Sequence, residues 1–366
     1  MSSYILKPFQ SETLGRLEKS FCHTLCVAPT GAGKGLIIEE YVRTYPSDLV
    51  LVLCPLIALG RQQAERIGQV FGRARVFCGM GLAGAGFTQE ELSEANVHII
   101  SPEMLQNRRI QSHYERYPPA LVVIDEAHCM EEWGAHFRPS YQEIIPFIRS
   151  LSLRKSLWLT ATPPRSLEAK LQSEFGEDFY KVGTFSLPAG LHLALKELSL
   201  EGKVRALEHA MESVGQEAAG LVFVITRQHT ERIQFLFKAH AKRALCYHAG
   251  FSSDERMILE KQVRRKPYPW VIATSAFGMG MDYKHFNHAF LFSPLHSVLS
   301  VVQALGRVGR NETQGCGVIF WHPEDLRMIA NLSRRQDQTD TNVRDLFVFL
   351  KSTPQERTAW LKEYFA

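Results

Sequence analysis

Ten short apolar runs, separated by stretches with helical spacing, restrict what this chain can fold into more than any other feature. They read TLCVA, LVLVLCP, NVHIISP, ALVVIDEA and SLWLTAT, then GLVFVIT, ALCYHAG, PWVIATS, HAFLFS and GVIFW. A run that is apolar on every residue suits a strand buried on both faces, as in a parallel sheet covered by helices. The fold class is therefore α/β. With 366 residues, 45% of them hydrophobic, the chain can bury two or three cores. The two groups of runs flank GTFSLPAGLH (Gly183–His192), which has proline, glycine and small residues but no helical period, so it reads as a linker. The expected segments are 1–186, 187–326 and a helical tail over 327–366. In the tail Val343, Leu346, Phe347 and Leu350 recur at three- and four-residue steps, predicting an amphipathic helix docked on the second domain.

Composition narrows the setting. The longest apolar stretch, LVLVLCPLIALG (Leu49–Gly60), is shorter than the roughly 18 to 20 residues of a membrane span, so no membrane partner is expected. The opening MSSYILKPFQ shows no secretory pattern, which predicts an intracellular protein, in a nucleus or a bacterial cytoplasm. Seven cysteines without a C-x-x-C pair fit a reducing compartment. The spacing Cys22–Cys26 has no second ligand pair, so no structural zinc is expected. The net charge of +4 is too small to identify a polyanionic partner. Local clusters such as Arg108–Arg109, Arg264–Lys266 and Arg334–Arg335 could meet phosphates or simply face solvent.

Between the first apolar run and LIIEEYV lies APTGAGKG (Ala28–Gly35), a glycine-rich stretch where a strand hands over to a helix. Backbone N–H groups of Pro29–Gly35 (Thr30, Gly31, Ala32, Gly33, Lys34 and Gly35) can converge on phosphate oxygens there, and Lys34 supplies a cation. The run ALVVIDEAHCMEEW carries Asp125 and Glu126 at the carboxyl end of a buried strand, where ligands of α/β sheets bind. Two adjacent acids suggest separate roles, with Asp125 holding Mg²⁺ and Glu126 polarising a water. In QALGRVGR (Gln303–Arg310), Arg307 and Arg310 are three apart, and on a helix they share a face that could reach a γ-phosphate. Because Lys34 and these arginines belong to different segments, ATP is expected in the cleft between the two domains.

The order of these motifs resembles superfamily 2 helicases and, within them, the RecQ-like DNA helicases, over residues 5 to 325. DEAHCMEEWGAHFRPSY (Asp125–Tyr141) is similar to the family's DEAH box followed by its aromatic-rich loop, with Trp133, Phe137 and Arg138 at matching positions. The resemblance implies two RecA-like domains with parallel sheets flanked by helices. It further implies that the loop senses single-stranded DNA, on which aromatic rings stack without reading sequence. LKPFQ resembles the segment in which Gln10 reads adenine and Lys7 lies near the base. CPLIAL and ISPEML resemble DNA-backbone segments, with Pro55, Leu56 and Ser101 as contacts. LTATPP, with Thr160 and Thr162, and His128 of the DEAH box are implied couplers of hydrolysis to movement. YHAG (His248) and ATSAFGMGMD resemble a second-domain DNA contact, through Thr274 and Phe277, and a nucleotide loop, through Gly280 and Asp282. Gln303, in the arginine segment, is implied as catalytic.

The chain departs from the pattern at Gly35, where phosphate loops carry a hydroxyl that ligates magnesium, and at Ala135 and His136 of the aromatic-rich loop. The zinc and winged-helix modules that the resemblance would place after Asp325 are not expected in residues 326–366. The expected protein is an ATP- and Mg²⁺-dependent helicase or translocase moving 3′ to 5′ on single-stranded or partly duplex DNA. A non-hydrolysing ATP-dependent DNA clamp and an RNA-directed helicase remain alternatives, and the oligomeric state is left open.

Overall fold

Strands that are apolar on both faces need helices on both sides, and the first unit supplies them in alternation along the chain. The computed structural model describes residues 5–72, 75–81, 86–133, 139–213, 219–240, 243–248, 250–265, 270–274, 277, 285–309, 314–334 and 341–365. It divides into two compact units, Met1–Ser186 with Tyr364–Ala366, and Leu187–Glu363.

In the first unit, strands β1 (Cys22–Val27), β2 (Val50–Leu53), β3 (Val76–Cys78), β4 (Val97–Ile100), β5 (Leu121–Ile124), β6 (Lys155–Thr160) and β7 (Phe179–Val182) form one sheet. Its order is β3-β4-β2-β5-β6-β1-β7, and every pairing is parallel. The helices are α1 (Pro8–Leu17), α2 (Gly35–Thr44), α3 (Ile57–Phe71), α4 (Gln89–Glu94), α5 (Arg108–Arg116), α6 (Cys129–Trp133), α7 (Ile144–Ser150) and α8 (Arg165–Phe175). Ile37 and Tyr41 of α2 and Ile67 of α3 bury against Val52, Ile99, Val123 and Leu157 of the sheet. The two strands that no apolar run announced, β3 and β7, are the edges of this sheet. An edge strand is short and half-covered, so its sequence carries little of the buried-strand signature.

Two histidines are built into this unit in neutral form. His98 is fully buried, with Nδ1 against the Tyr114 hydroxyl at 3.0 Å and Nε2 against the carbonyls of Leu92 and Ala95 at 3.0 and 3.2 Å. Those carbonyls need a donor, so the proton sits on Nε2 and Nδ1 accepts from tyrosine. Burial holds both His98 and His23 down to about 4.

In the second unit, β8 (Leu191–Glu197), β9 (Gly220–Phe223), β10 (Ala244–Tyr247), β11 (Trp270–Ala273), β12 (His288–Leu291) and β13 (Gly315–Trp321) form a parallel sheet ordered β10-β11-β9-β12-β13-β8. The stretch read as linker to His192 gives way to strand at Leu191, because β8 is an edge whose residues alternate between half-buried and exposed rather than being apolar throughout. The helices are α9 (Leu200–Ser213), α10 (Arg227–Ala239), α11 (Ser253–Arg265), α12 (Val298–Leu305), α13 (Pro323–Arg334), α14 (Thr341–Lys351) and α15 (Pro354–Tyr364).

The residues from 327 onward do not stand apart as a third body: through Glu363 they belong to the second unit. Helix α14 packs on α12 and α13 and buries Leu346, Phe349 and Leu350. Phe347, expected on that buried stripe, is 48% exposed, and Phe349 takes its place. The i+3 step from Leu346 lands on the packed face, while the i+1 step to Phe347 turns about 100° away from it. Lys203 of α9, 2% exposed, is paired with Asp325, which also accepts from Ser293 Oγ at 3.2 Å and His322 N at 2.7 Å. Among the described residues, no helix is long and apolar enough to cross a membrane.

Both features predict stability behaviour. The folded pKa of His23 and His98 lies below the unfolded value of about 6.5, so the unfolded chain binds more protons between about pH 4 and 6.5. Each histidine therefore removes up to about 1.4 kcal/mol of stability per pH unit as pH falls through that window. Urea denaturation at pH 7 and pH 5 should show the loss, and equal midpoints would contradict it. Lys203→Ala leaves the Asp325 carboxylate without its buried partner and should cost about 3–5 kcal/mol, read as a lower denaturant midpoint for the second unit's transition.

Candidate nucleotide and nucleic-acid site

The site of the first unit is built on the carboxyl ends of three adjacent strands. After β1, the chain turns through Ala28–Lys34 into α2, with Gly31 at φ 78° and Gly33 at φ 94°. These positive angles are where a side chain would strain the backbone, and the turn between them is closed by Ala32 N donating to the Pro29 carbonyl at 3.1 Å. At Gly33 there is a second reason: a Cβ there would lie 2.9 Å from Gln10 Nε2. Gln10 donates to the Gly33 carbonyl at 2.8 Å and accepts from Lys7 N at 2.8 Å. Gln10 is 2% exposed, and its amide braces the loop through the Gly33 carbonyl. Lys34 folds over the loop, with Nζ 2.9 Å from the Ala28 carbonyl and 3.3 Å from that of Pro29. Its ammonium thus occupies the concave side of the turn formed by Pro29, Thr30, Gly31, Ala32 and Gly33.

The next strand ends carry the acids. Asp125 follows β5 and is 7% exposed; its Oδ1 accepts from Glu126 N at 3.0 Å and its Oδ2 from Gln63 Nε2 at 2.5 Å. Burial first, and the neighbouring Glu126 second, push the Asp125 carboxyl up to about 7, against the opposing pull of Lys34. Glu126 has φ 49°, a left-handed backbone that a residue with a Cβ adopts only under constraint. That turn holds its carboxylate 3.5 Å from His128 Nδ1, and the same Nδ1 lies 3.1 Å from Thr160 Oγ1 at the end of β6. Thr160 Oγ1 also accepts from Thr162 N at 3.1 Å. Glu126, His128, Thr160 and Thr162, named separately in the sequence, therefore form one connected network.

A buried carboxylate raised by a second carboxylate is a place where a divalent cation relieves charge, and magnesium readily takes one carboxylate, waters and phosphate oxygens. Asp125 fits that role. Position 35 contributes no ligand. A Cβ there would meet only Arg66 Nη1, at an ordinary 3.6 Å, so a hydroxyl side chain has room.

The segments expected to meet nucleic acid lie on the same rim. Pro55 and Leu56 connect β2 to α3, and Ser101 precedes a 3-10 turn, Pro102–Gln106, after β4. Trp133 ends α6; its side chain, together with Phe137 and Arg138, lies outside the described residues. Arg108 and Arg109 join Arg116 around a cavity of about 510 Å³ that His113 and Gln89 also line.

The second unit holds the remaining candidates. Gln303 is on α12, but the helix expected to carry Arg307 and Arg310 ends at Leu305, with Gly306 as its C-cap. Arg307 sits in the following turn, 8% exposed, and Gly309 at φ 70° turns the chain where its Cβ would touch the backbone of Gly190 and Leu191 at 3.0 Å. Two glycines within four residues stop the helix, so the shared-face expectation is corrected. Arg310, Gly280 and Asp282 lie outside the described residues. His248 stacks on Phe251 with centroids 4.1 Å apart and accepts from Gly250 N at 3.2 Å. Thr274 follows β11 and bonds to the Tyr247 carbonyl at 3.2 Å. Phe277 is withdrawn from the contact set: it is 1% exposed and packs edge-on against Tyr247, so no face is open to a base.

The sequence reading missed Gln63. A glutamine on an amphipathic helix carries no motif, and only the fold brings it to Asp125.

Such a loop, acid pair and hydrogen-bonded network at the rim of one parallel sheet, in a chain with a second parallel sheet, are those of helicase-type nucleotide-binding cores. Residues 7–169 match the DEAD/DEAH box helicase family and residues 202–312 the helicase conserved C-terminal domain. The chain thus carries both helicase domains, and its relatives are RecQ-family DNA helicases. It is 24% identical to the probable ATP-dependent DNA helicase RecS of Bacillus subtilis over 93% of its length and 26% identical to RecQ of the same organism over 92%. It is 31% identical to ATP-dependent DNA helicase Q4 of Mus musculus over 87%. The chain spans 69%, 57% and 29% of those relatives, respectively. Among solved structures, Dbp5 of S. cerevisiae bound to RNA and ADP BeF3 superposes with a TM-score of 0.70 at 16% identity, over 98% of this chain and 93% of the other. The DUF1998 helicase MrfA bound to DNA and AMPPNP gives 0.72 at 19%, over 99% and 56%. At that identity the two structures speak for the fold.

The missing hydroxyl at position 35 predicts that Gly35→Thr folds normally and lowers the magnesium concentration needed for half-maximal ATP turnover. The shift should be tenfold for each ~1.4 kcal/mol that the added ligand contributes. A magnesium titration of turnover checks this, and superimposable curves would show that position 35 does not limit metal binding.

Proposed function

We propose that this protein hydrolyses ATP with Mg²⁺ and uses the cycle to move 3′ to 5′ along single-stranded DNA inside the cell. The observation that carries the reading is the first unit's rim, where Lys34, Asp125 and the Glu126–His128–Thr160 network converge. Lys34 withdraws charge from the β- and γ-phosphates, and the loop N–H groups orient them. Glu126 holds the attacking water by accepting its hydrogen bond, and His128 fixes the carboxylate. Arg307 and Arg310 supply positive charge to the departing phosphate, a contribution of about 10³–10⁵ in rate in phosphoryl-transfer enzymes. When bound, Mg²⁺ would be held by Asp125 and would neutralise phosphate charge. Thr160 and Thr162 pass the state of Glu126 to the chain that follows β6. DNA contacts are assigned to Pro55, Leu56, Ser101, Trp133, Phe137, Arg138, His248 and Thr274; Lys7 and Gln10 flank the adenine, and Gly280 and Asp282 face the nucleotide.

A clamp that binds ATP without turnover is favoured by one observation, the missing hydroxyl at Gly35. The intact acid pair opposes it. Steady-state hydrolysis separates the readings when measured with no nucleic acid, with single-stranded DNA and with single-stranded RNA. DNA should stimulate turnover most, and Glu126→Gln should lower kcat by about 10²–10⁴. Wild-type turnover no greater than that of Glu126→Gln, with ATP still bound, would favour the clamp, whereas stimulation by RNA alone would reassign the strand.

A further inference from the structure

We infer that Gln63 is a positioning residue that fixes the Asp125 carboxylate and ties it mechanically to the strand-contacting rim. This role deepens the ATP and DNA reading above and rests on it. Gln63 lies near the middle of α3, whose first turn begins at the Pro55–Leu56 segment. Its amide is clamped at both ends: Nε2 donates to Asp125 Oδ2 at 2.5 Å, and Oε1 accepts from Cys54 Sγ at 3.2 Å. The carboxylate decides the orientation of the amide, since it only accepts and so takes Nε2, which leaves Oε1 to the Cys54 thiol. Cys54 is itself fully buried, directly precedes Pro55, and donates its backbone N–H to the Ile100 carbonyl at 2.9 Å, one residue before Ser101.

A hydrogen-bonded chain thus runs from the two candidate DNA-backbone segments to the carboxylate assigned to the metal. Cys54 joins Pro55 to Ile100 and Ser101, Gln63 accepts the thiol hydrogen bond, and Asp125 accepts that of the amide. Asp125 Oδ1 is taken by Glu126 N at 3.0 Å, so Gln63 governs the remaining oxygen. Along α3, Gln63 is about 9 Å from the helix start at Ile57, and a two-turn helical segment transmits a displacement of its first turn with little loss. Bonds of this kind, to a charged acceptor away from bulk water, carry more free energy than neutral surface ones. A strand that shifts Pro55, Leu56 or Ser101 therefore alters how Asp125 is presented.

The test uses the full chain with Gln63→Met, which keeps volume and helical preference but removes both hydrogen bonds, and Gln63→Asn, which keeps the amide but shortens its reach. Thermal melting establishes that each is folded. Three readouts follow: affinity for a fluorescent ATP analogue in EDTA, the magnesium dependence of turnover, and the ratio of turnover with and without single-stranded DNA. The expected result is unaltered affinity in EDTA, a rise of about tenfold in half-saturating magnesium, and a fall of about tenfold in the DNA stimulation ratio, the scale of one charge-assisted hydrogen bond. A purely structural glutamine would change the melting temperature and leave the last two readouts in place.

If Gln63→Met does not fold, Cys54→Ala reads the same link from its other end. It removes the bond that anchors Oε1 and so loosens the amide, and a several-fold shift in the same two readouts is expected. Wild-type magnesium dependence and DNA stimulation in the folded variants would overturn the role of Gln63 alone. A wild-type chain that neither binds nor turns over ATP would overturn the nucleotide reading, and this inference with it.

Discussion

Parallel pairing at the carboxyl rim of β5, β6 and β1 is the constraint on which the rest of the site depends. The ladder continues one to three residues past the strand ends: Asp125 N bonds to Leu53 O at 3.0 Å, Ala127 N to Leu159 O at 2.8 Å, and Ala28 N to Thr160 O at 3.1 Å. Those bonds bring the phosphate loop, the acid pair and the Thr160 network level with one another. In an antiparallel sheet the ends of neighbouring strands point in opposite directions, and the three groups could not meet.

Within that frame, the structure stores strain at Glu126 and uses buried hydrogen bonds to hold it. A left-handed backbone at a glutamate persists only where its surroundings over-determine it. Here Ala127 is anchored to β6 and His128 to Thr160, so the turn between them has no alternative course. The loop is braced in a similar way, since Gln10 reaches from α1 to the Gly33 carbonyl. A side chain expected to touch the base is thus also a support for the turn that would hold the phosphates. Cys54 and Gln63 extend the same logic to Asp125, through hydrogen bonds made inside the fold.

The second unit solves its own burial problem differently. It encloses a charged pair, Lys203 with Asp325, and satisfies the carboxylate with Ser293 and the His322 backbone. Asp325 lies in the first turn of α13, which leads into α14 and α15, so this pair fastens the C-terminal helices to α9. Arg357 acts in a related way. Its guanidinium donates to the Ser352 carbonyl at 2.6 Å and to the Phe349 carbonyl at 3.3 Å, closing the turn between α14 and α15.

By itself, the amino-acid sequence determined the α/β class and ten of the strands, the edge β10 among them, and it singled out the glycine-rich loop after β1, the acid pair after β5 and the threonines at the end of β6. All of these rest on local signals, either an apolar run that only a doubly covered strand tolerates or a short motif whose neighbours supply its context. Three of the four edge strands, β3, β7 and β8, escaped because a half-covered strand need not be apolar throughout, whereas the edge β10 did carry such a run. The helix drawn through Arg307 and Arg310 failed because spacing alone ignores Gly306 and Gly309. Phe277 and Phe347 were misplaced because aromatic character does not say which side of the chain is covered. Tertiary structure alone decided that Gln10 supports the loop, that Gln63 meets Asp125, and that Cys54 anchors the other end of that amide. Those contacts join residues 23, 62 and 9 positions apart in sequence, and no local pattern records a distance that only packing closes.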